Sequence, residues 1–188
     1  KEKQKRGSLR MSELQVKTAE SRFSVLDVAL TGVFTALVFV MTMFVQVQII
    51  PAQGGLVHLG NVPLFFAAAF FGKKVGALCG GLGMALSDLV TPWQIYAPIS
   101  LIVVGLMGLV FGMIVNKKPT FPKLLLATVA ALAIKLAGYY IGEIFITGSF
   151  LVPLQSVPGN VIQIVTGAVI AIPVILVVRK PLMNVLNK

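Results

Sequence analysis

The sequence predicts an all-α polytopic membrane protein: one domain over residues 1–188, built as a bundle of six transmembrane helices with both termini in the cytoplasm. Three observations predict it. Of 188 residues 57% are hydrophobic and only 12% charged, against about 25% charged in an ordinary soluble domain. Apolar runs recur six times, separated by polar or Pro/Gly breaks. The sixteen Lys and Arg residues fall almost wholly in every second break.

The runs lie at about 25–50, 57–71, 75–91, 98–115, 124–147 and 160–178, after a polar, basic tail over 1–23. The tail is too long and too charged for a signal peptide with a short apolar middle, so the first run is expected to be a retained span. Met11 within the tail is a candidate start. Ser24 and Asp27 form a capping-box pattern at the head of the first run, with Asp in place of Glu. Pro51 ends that run and Pro122 opens the fifth. The second run is about 15 residues long and contains Pro63. A full crossing needs about 20 residues, so this run is expected to be tilted, bent or open to water at one end. The stretch 148–159, rich in Gly, Ser and Pro, is expected to be a real loop.

Charge placement sets the orientation. Lys1, Lys3, Lys5, Arg6, Arg10, Lys17 and Arg22 precede the first run; Lys73 and Lys74 join the second to the third; Lys117, Lys118 and Lys123 join the fourth to the fifth; Arg179, Lys180 and Lys188 follow the sixth. With six crossings these fifteen cations share one side, which the positive-inside rule makes cytoplasmic. The net charge of +10 therefore describes topology, with anionic lipid or partner subunits as its contacts, rather than the basic face of a nucleic-acid binder.

Other classes are excluded by absence of motif. One cysteine, Cys79, cannot close an internal disulfide; it sits in an apolar run as a small packing residue. No Cys/His cluster has zinc spacing, and no Gly-rich loop ends in Gly-Lys-Ser/Thr, so neither a resident metal nor ATP is expected in this chain.

Polar residues inside spans are costly and point to function. In the predicted topology His58 opens the second span at the outer face, Asp88 lies in the last turn of the third, Glu143 near the outer end of the fifth, and Asn160 and Gln163 at the start of the sixth. Spacing adds alignment: His58 with Asn61, Lys135 with Tyr139 and Glu143, and Asn160 with Gln163 and Gly167 each follow a helical stripe. Trp93, Gln94 and Tyr96 lie in the outer connection between the third and fourth spans. An apolar, aromatic cavity with a few directed polar groups has the character of a small-molecule site. Structural readings stand beside the ligand readings: Trp93 and Tyr96 as an interfacial belt, Asn160 as a cap, His58 bonded to a loop, and Lys135 as a buried partner of Glu143.

Small residues at four-residue spacing allow close helix approach. They recur at Ala77/Gly81/Ala85, Gly108/Gly112 and Gly138/Gly142, mostly as internal contacts. Ala29, Gly32 and Ala36 in the otherwise bulky first span are the best candidate for an external partner.

These residues carry a resemblance. The stretches Val57-His58-Leu59-Gly60-Asn61-Val62-Pro63, Phe71-Gly72-Lys73-Lys74-Val75-Gly76-Ala77 and Gly83-Met84-Ala85-Leu86-Ser87-Asp88-Leu89 resemble the second and third spans of the S component of energy-coupling factor (ECF) vitamin transporters. Over residues 24–180 the chain is similar to that family, most of all to the hydroxymethylpyrimidine or pyridoxine type, with the pantothenate type next. The resemblance implies a substrate-binding subunit of an ATP-driven importer in the cell membrane of a prokaryote. Such a subunit binds its vitamin near the external face and docks on a transmembrane T subunit carrying two cytoplasmic ATPases, which bind the ATP. It implies docking through the first span, here Ala29, Gly32 and Ala36, with Gly where the family's surface has Ala. The substrate-binding residues expected are His58, Asn61, Asp88, Trp93, Tyr96, Tyr139, Glu143, Asn160 and Gln163. A flat pyrimidine or pyridine alcohol would stack on Trp93 or Tyr139 and bond to the amides and carboxylates. A carboxylate vitamin such as pantothenate would want a cation, and the outer half offers only His58, with Lys135 deeper. Riboflavin is a further candidate. From other classes, an intramembrane enzyme would use Asp88, Glu143 and His58, although no His-Glu-x-x-His pattern is present; in an assembly or channel protein the polar groups would only hold the bundle together.

Overall fold

A computed structural model describes residues 23–48 and 56–186. Its elements are α1 (Val25–Phe44), the strands β1 (Gln46–Gln48) and β2 (Leu56–His58), α2 (Asn61–Phe71), α3 (Lys73–Leu89), a 3-10 turn at Gln94–Tyr96, α4 (Ala97–Val115), α5 (Phe121–Thr147), a second 3-10 turn at Val152–Ser156, and α6 (Val157–Leu186). The polar tail and the stop at Pro51 lie outside the described residues.

Local chemistry accounts for the boundaries. Ser24 Oγ accepts from the Asp27 N–H at 3.0 Å and Asp27 Oδ2 from the Ser24 N–H at 2.9 Å, closing the capping box that starts α1. The prolines near helix starts, Pro63, Pro98 and Pro122, each fall in a first turn, where the missing N–H is harmless. Gly72 at φ +91° makes the abrupt turn between α2 and α3, and Gly148 at φ +66° ends α5.

Three expectations are corrected. The first span ends at Phe44 rather than Ile50, because the alternation Gln46-Val47-Gln48 forms a strand antiparallel to Leu56–His58, with Gln46 opposite His58. His58 therefore does not open a helix; it stands in β2, and its spacing to Asn61 is not helical. The expected loop 148–159 is mostly ordered, as a 3-10 turn followed by α6, which starts at Val157. Asn160 then lies one turn inside α6 and is not its cap.

Among the described residues four helices are long and apolar enough to cross a membrane: α1, α4 with its preceding turn, α5 and α6. The short second run has a physical explanation. Eight of the eleven residues of α2 are buried, including Leu64, Phe65 and Phe70, so this helix is the centre of the bundle and is walled by protein rather than lipid. Phe65 stacks on Phe111 of α4 with ring centroids 4.5 Å apart. The α3–α4 crossing is closer still: a Cβ on Gly108 would strike the Gly76 carbonyl, and one on Gly81 would lie 2.6 Å from the Leu101 carbonyl. Gly138 and Gly142 seat α5 on Val103 and Ile99 in the same way. The small-residue motifs of α3, α4 and α5 are thus internal, as the sequence suggests. In α1, by contrast, Ala29, Gly32 and Ala36 are all exposed, and nothing lies within 4 Å of a Cβ placed on Gly32.

Candidate functional site

One end of the bundle holds a cavity of about 680 Å³, counting its part open to solvent. The ends of α1, α3 and α5, the starts of α4 and α6, and strand β2 surround it. Eight of the nine expected substrate-binding residues line it: His58, Asp88, Trp93, Tyr96, Tyr139, Glu143, Asn160 and Gln163. Asn61 does not. Its side chain is fully buried between α2 and α6, with Nδ2 donating to the Gln163 carbonyl at 3.4 Å, and Gly167 leaves the room it occupies.

Helical spacing explains the convergence. Lys135, Tyr139 and Glu143 form one stripe of α5, and all three face the cavity. Lys135 is not held by Glu143; its ammonium donates to the Gln163 side chain and lies 5.6 Å from the Tyr139 ring centroid. Ser100 joins the Tyr139 hydroxyl at 2.7 Å. The buried Asp88 Oδ2 has no partner among the described residues. The Ser156 hydroxyl donates to the Pro153 carbonyl at 2.9 Å. Trp93 and Tyr96 meet edge to face at the cavity, ring centroids 5.8 Å apart.

His58 accepts a hydrogen bond at Nδ1 from the Gly60 N–H at 3.2 Å, so the neutral ring carries its proton on Nε2. Burial, reinforced by the charge of Lys135, holds its pKa well below the ordinary 6.5. A Cβ on Gly60 would strike the Thr42 hydroxyl and lie 3.1 Å from His58 Nδ1, so the small residue gives both side chains room.

The wall also includes Thr42, Gln46, Met84, Ser87, Thr91, Ser100, Lys135 and Ser156. Ser87 and Thr91, four residues apart, stand beside Asp88 in the sequence, the signal that could have found them. Gln46 and Ser156 come from a hairpin and a 3-10 turn that the hydrophobic pattern does not announce. Because Lys135 lines the cavity, the cation that seemed too deep to meet a ligand is at hand, although engaged by Gln163.

The family described as "ECF-type riboflavin transporter, S component" matches residues 22–180. The chain belongs to the ECF-type S component family. It is a multi-pass, vitamin-binding transporter subunit, and neither its family nor its fold is that of an enzyme. The "Thiamine precursor transporter HmpT" of Lactococcus lactis subsp. cremoris (strain MG1363) is 29% identical over 144 residues, 76% of this chain and 81% of that protein. An "Uncharacterized protein in gap 3'region" of Pyrococcus woesei is 31% identical over 102 residues, 54% of this chain and 68% of that protein. Among solved structures, the S component for biotin from an ECF-type ABC transporter superposes with a TM-score of 0.59 at 18% identity, covering 83% of this chain and 90% of that one, a similarity of fold.

Proposed function

We propose that this S component takes up hydroxymethylpyrimidine or pyridoxine, binding it in the cavity of Asp88 and Glu143 near the external face of a prokaryotic cell membrane. The observation that carries the reading is the balance of ionisable groups on the cavity wall: two carboxylates against one ammonium, with that ammonium engaged by Gln163. Such a wall favours a ligand rich in donors or weakly basic over an anion. Asp88 Oδ2, buried and without a partner among the described residues, suits an amine or a protonated ring nitrogen. Trp93, Tyr96 and Tyr139 offer aromatic faces to a flat ring. Similarity to a thiamine precursor transporter supports the pyrimidine. In this reading six segments cross with both termini cytoplasmic, and the exposed strip Ala29, Gly32 and Ala36 meets a T subunit carrying two ATPases. The chain itself needs no cofactor.

A second reading rests on Lys135. Released from Gln163, it would pair with the carboxylate of pantothenate. Isothermal titration of the purified protein against hydroxymethylpyrimidine, pyridoxine, pantothenate and riboflavin tests both. The first reading expects the pyrimidine or pyridoxine to bind most tightly; binding of pantothenate or riboflavin alone would overturn it.

A further inference from the structure

At the opposite end of the bundle, a second cavity of about 910 Å³, counting its part open to solvent, lies where the start of α1, the α2–α3 turn and the end of α4 meet. Lys73, Lys74 and Lys117 line it, with Asp27 the one acid among the described residues of its wall. The Asp27 carboxylate accepts from the Ser24 N–H in the capping box and keeps its charge, so three cations share the wall with that one carboxylate. The position of Lys117 is held against backbone preference. Asn116 at φ 49° and Lys117 at φ 54° are consecutive left-handed residues, a conformation that L-residues adopt at a cost and that clusters at functional sites. Together with Gly72 they fit two turns against each other: a Cβ on Gly72 would lie 2.9 Å from Lys117 Cε, so the lysine stem crosses that glycine. Lys74 lies over the Phe23 ring, 5.9 Å from its centroid. The rest of the wall includes Phe71 and Met113, and Met113 is exposed on the outer side of α4.

We propose that this cavity binds the phosphate group of an anionic phospholipid, with Lys73, Lys74 and Lys117 around the headgroup and Phe71 and Met113 leading an acyl chain onto α4. Basic pockets between helix ends at a membrane boundary recognise such headgroups. The apolar exit onto an exposed helix face favours a lipid over free phosphate, which would need only the lysines.

Native mass spectrometry of the full chain in detergent, with palmitoyl-oleoyl phosphatidylglycerol or phosphatidylcholine added, tests this. One phosphatidylglycerol should be retained at least about tenfold more tightly than phosphatidylcholine, since each lysine contributes roughly fivefold toward an anionic headgroup. The triple variant Lys73→Gln/Lys74→Gln/Lys117→Gln should lose nearly all of that preference. The corresponding triple Lys→Arg variant should keep it, which separates loss of charge from loss of fold. Equal retention of the two lipids would overturn the proposal, as would an unchanged preference in the Gln variant. Displacement of the lipid by an equal concentration of inorganic phosphate would reassign the site to free phosphate. Gln variants that keep the lipid but no longer copurify with T and ATPase subunits would reassign the lysines to a protein contact.

Discussion

Gly108→Ala and Gly32→Ala make the same chemical change on two small-residue motifs that look alike in the sequence. The structure predicts opposite outcomes. At Gly108 the added methyl meets backbone only: the Gly76 carbonyl and, at 2.9 Å, the Ala77 nitrogen. Backbone cannot rotate away, so the two contacting atoms must separate by more than an ångström to restore ordinary contact near 3.5–4.0 Å, which pushes α3 and α4 apart. A gap of about 0.5–1 Å already forfeits roughly a quarter to a half of each dispersion well along the line of contact. Overpacking of this kind costs about 1–3 kcal/mol, here toward the top of that range, and the better helix propensity of Ala returns up to about 1 kcal/mol. The net loss is about 2 kcal/mol, or roughly 4–8 °C in melting temperature for a chain of this size. At Gly32 nothing lies within 4 Å, so only the propensity gain operates and melting should hold or rise slightly. Thermal melting of the two variants in one detergent, followed by gel filtration, gives the comparison. Equal shifts, or a Gly108→Ala protein as stable as wild type, would refute the packing argument.

The docking proposal makes Gly32→Leu the functional counterpart: it should leave melting nearly unchanged yet abolish copurification with T and ATPase subunits, and full complex recovery would remove the α1 strip from consideration. Asp88→Asn should weaken ligand binding by about 10–150-fold in titration calorimetry, the equivalent of losing a charge-assisted hydrogen bond of roughly 1.5–3 kcal/mol. Trp93 is the single tryptophan of the chain and lines the cavity, so saturable ligand binding should change its fluorescence; titration heat without any emission change would place the ligand elsewhere. His58 is buried neutral with its pKa well below 6.5. Below pH 6.5 the unfolded chain takes up a proton that the folded chain does not, so stability falls with falling pH from 6.5 down to the depressed folded value. His58→Gln should flatten that slope in a melting series from pH 7.5 to about 5; an unchanged slope would show that His58 is not its source.

Much of this was legible in the sequence because lipid simplifies the code. Apolar runs had to be helices, and carboxylates such as Asp88 and Glu143 had to have a reason for their depth. The stripe Lys135, Tyr139, Glu143 needed only the helical repeat to be brought together. What escaped follows from features without such a repeat. The β1–β2 hairpin is three residues a side, too short to show alternation, and it moved His58 from a helix to a strand without moving it from the cavity. Asn61 looked like a ligand residue by spacing to His58, but that spacing assumed a helix one turn too early; it instead ties α2 to α6. The depth of Lys135 could not be judged from its place in α5, because cavity depth depends on how six segments pack. Nor could spacing tell the buried Gly108 from the exposed Gly32, since the difference lies entirely in the neighbouring helix.

The most direct test of the central claim is the identity of what the protein carries. Protein purified from its host without added vitamin, denatured and analysed by liquid chromatography with mass spectrometry, should release a pyrimidine or pyridine alcohol, depleted in the Asp88→Asn variant. Release of pantothenate or a flavin instead, undiminished by that substitution, would contradict both the substrate and the site.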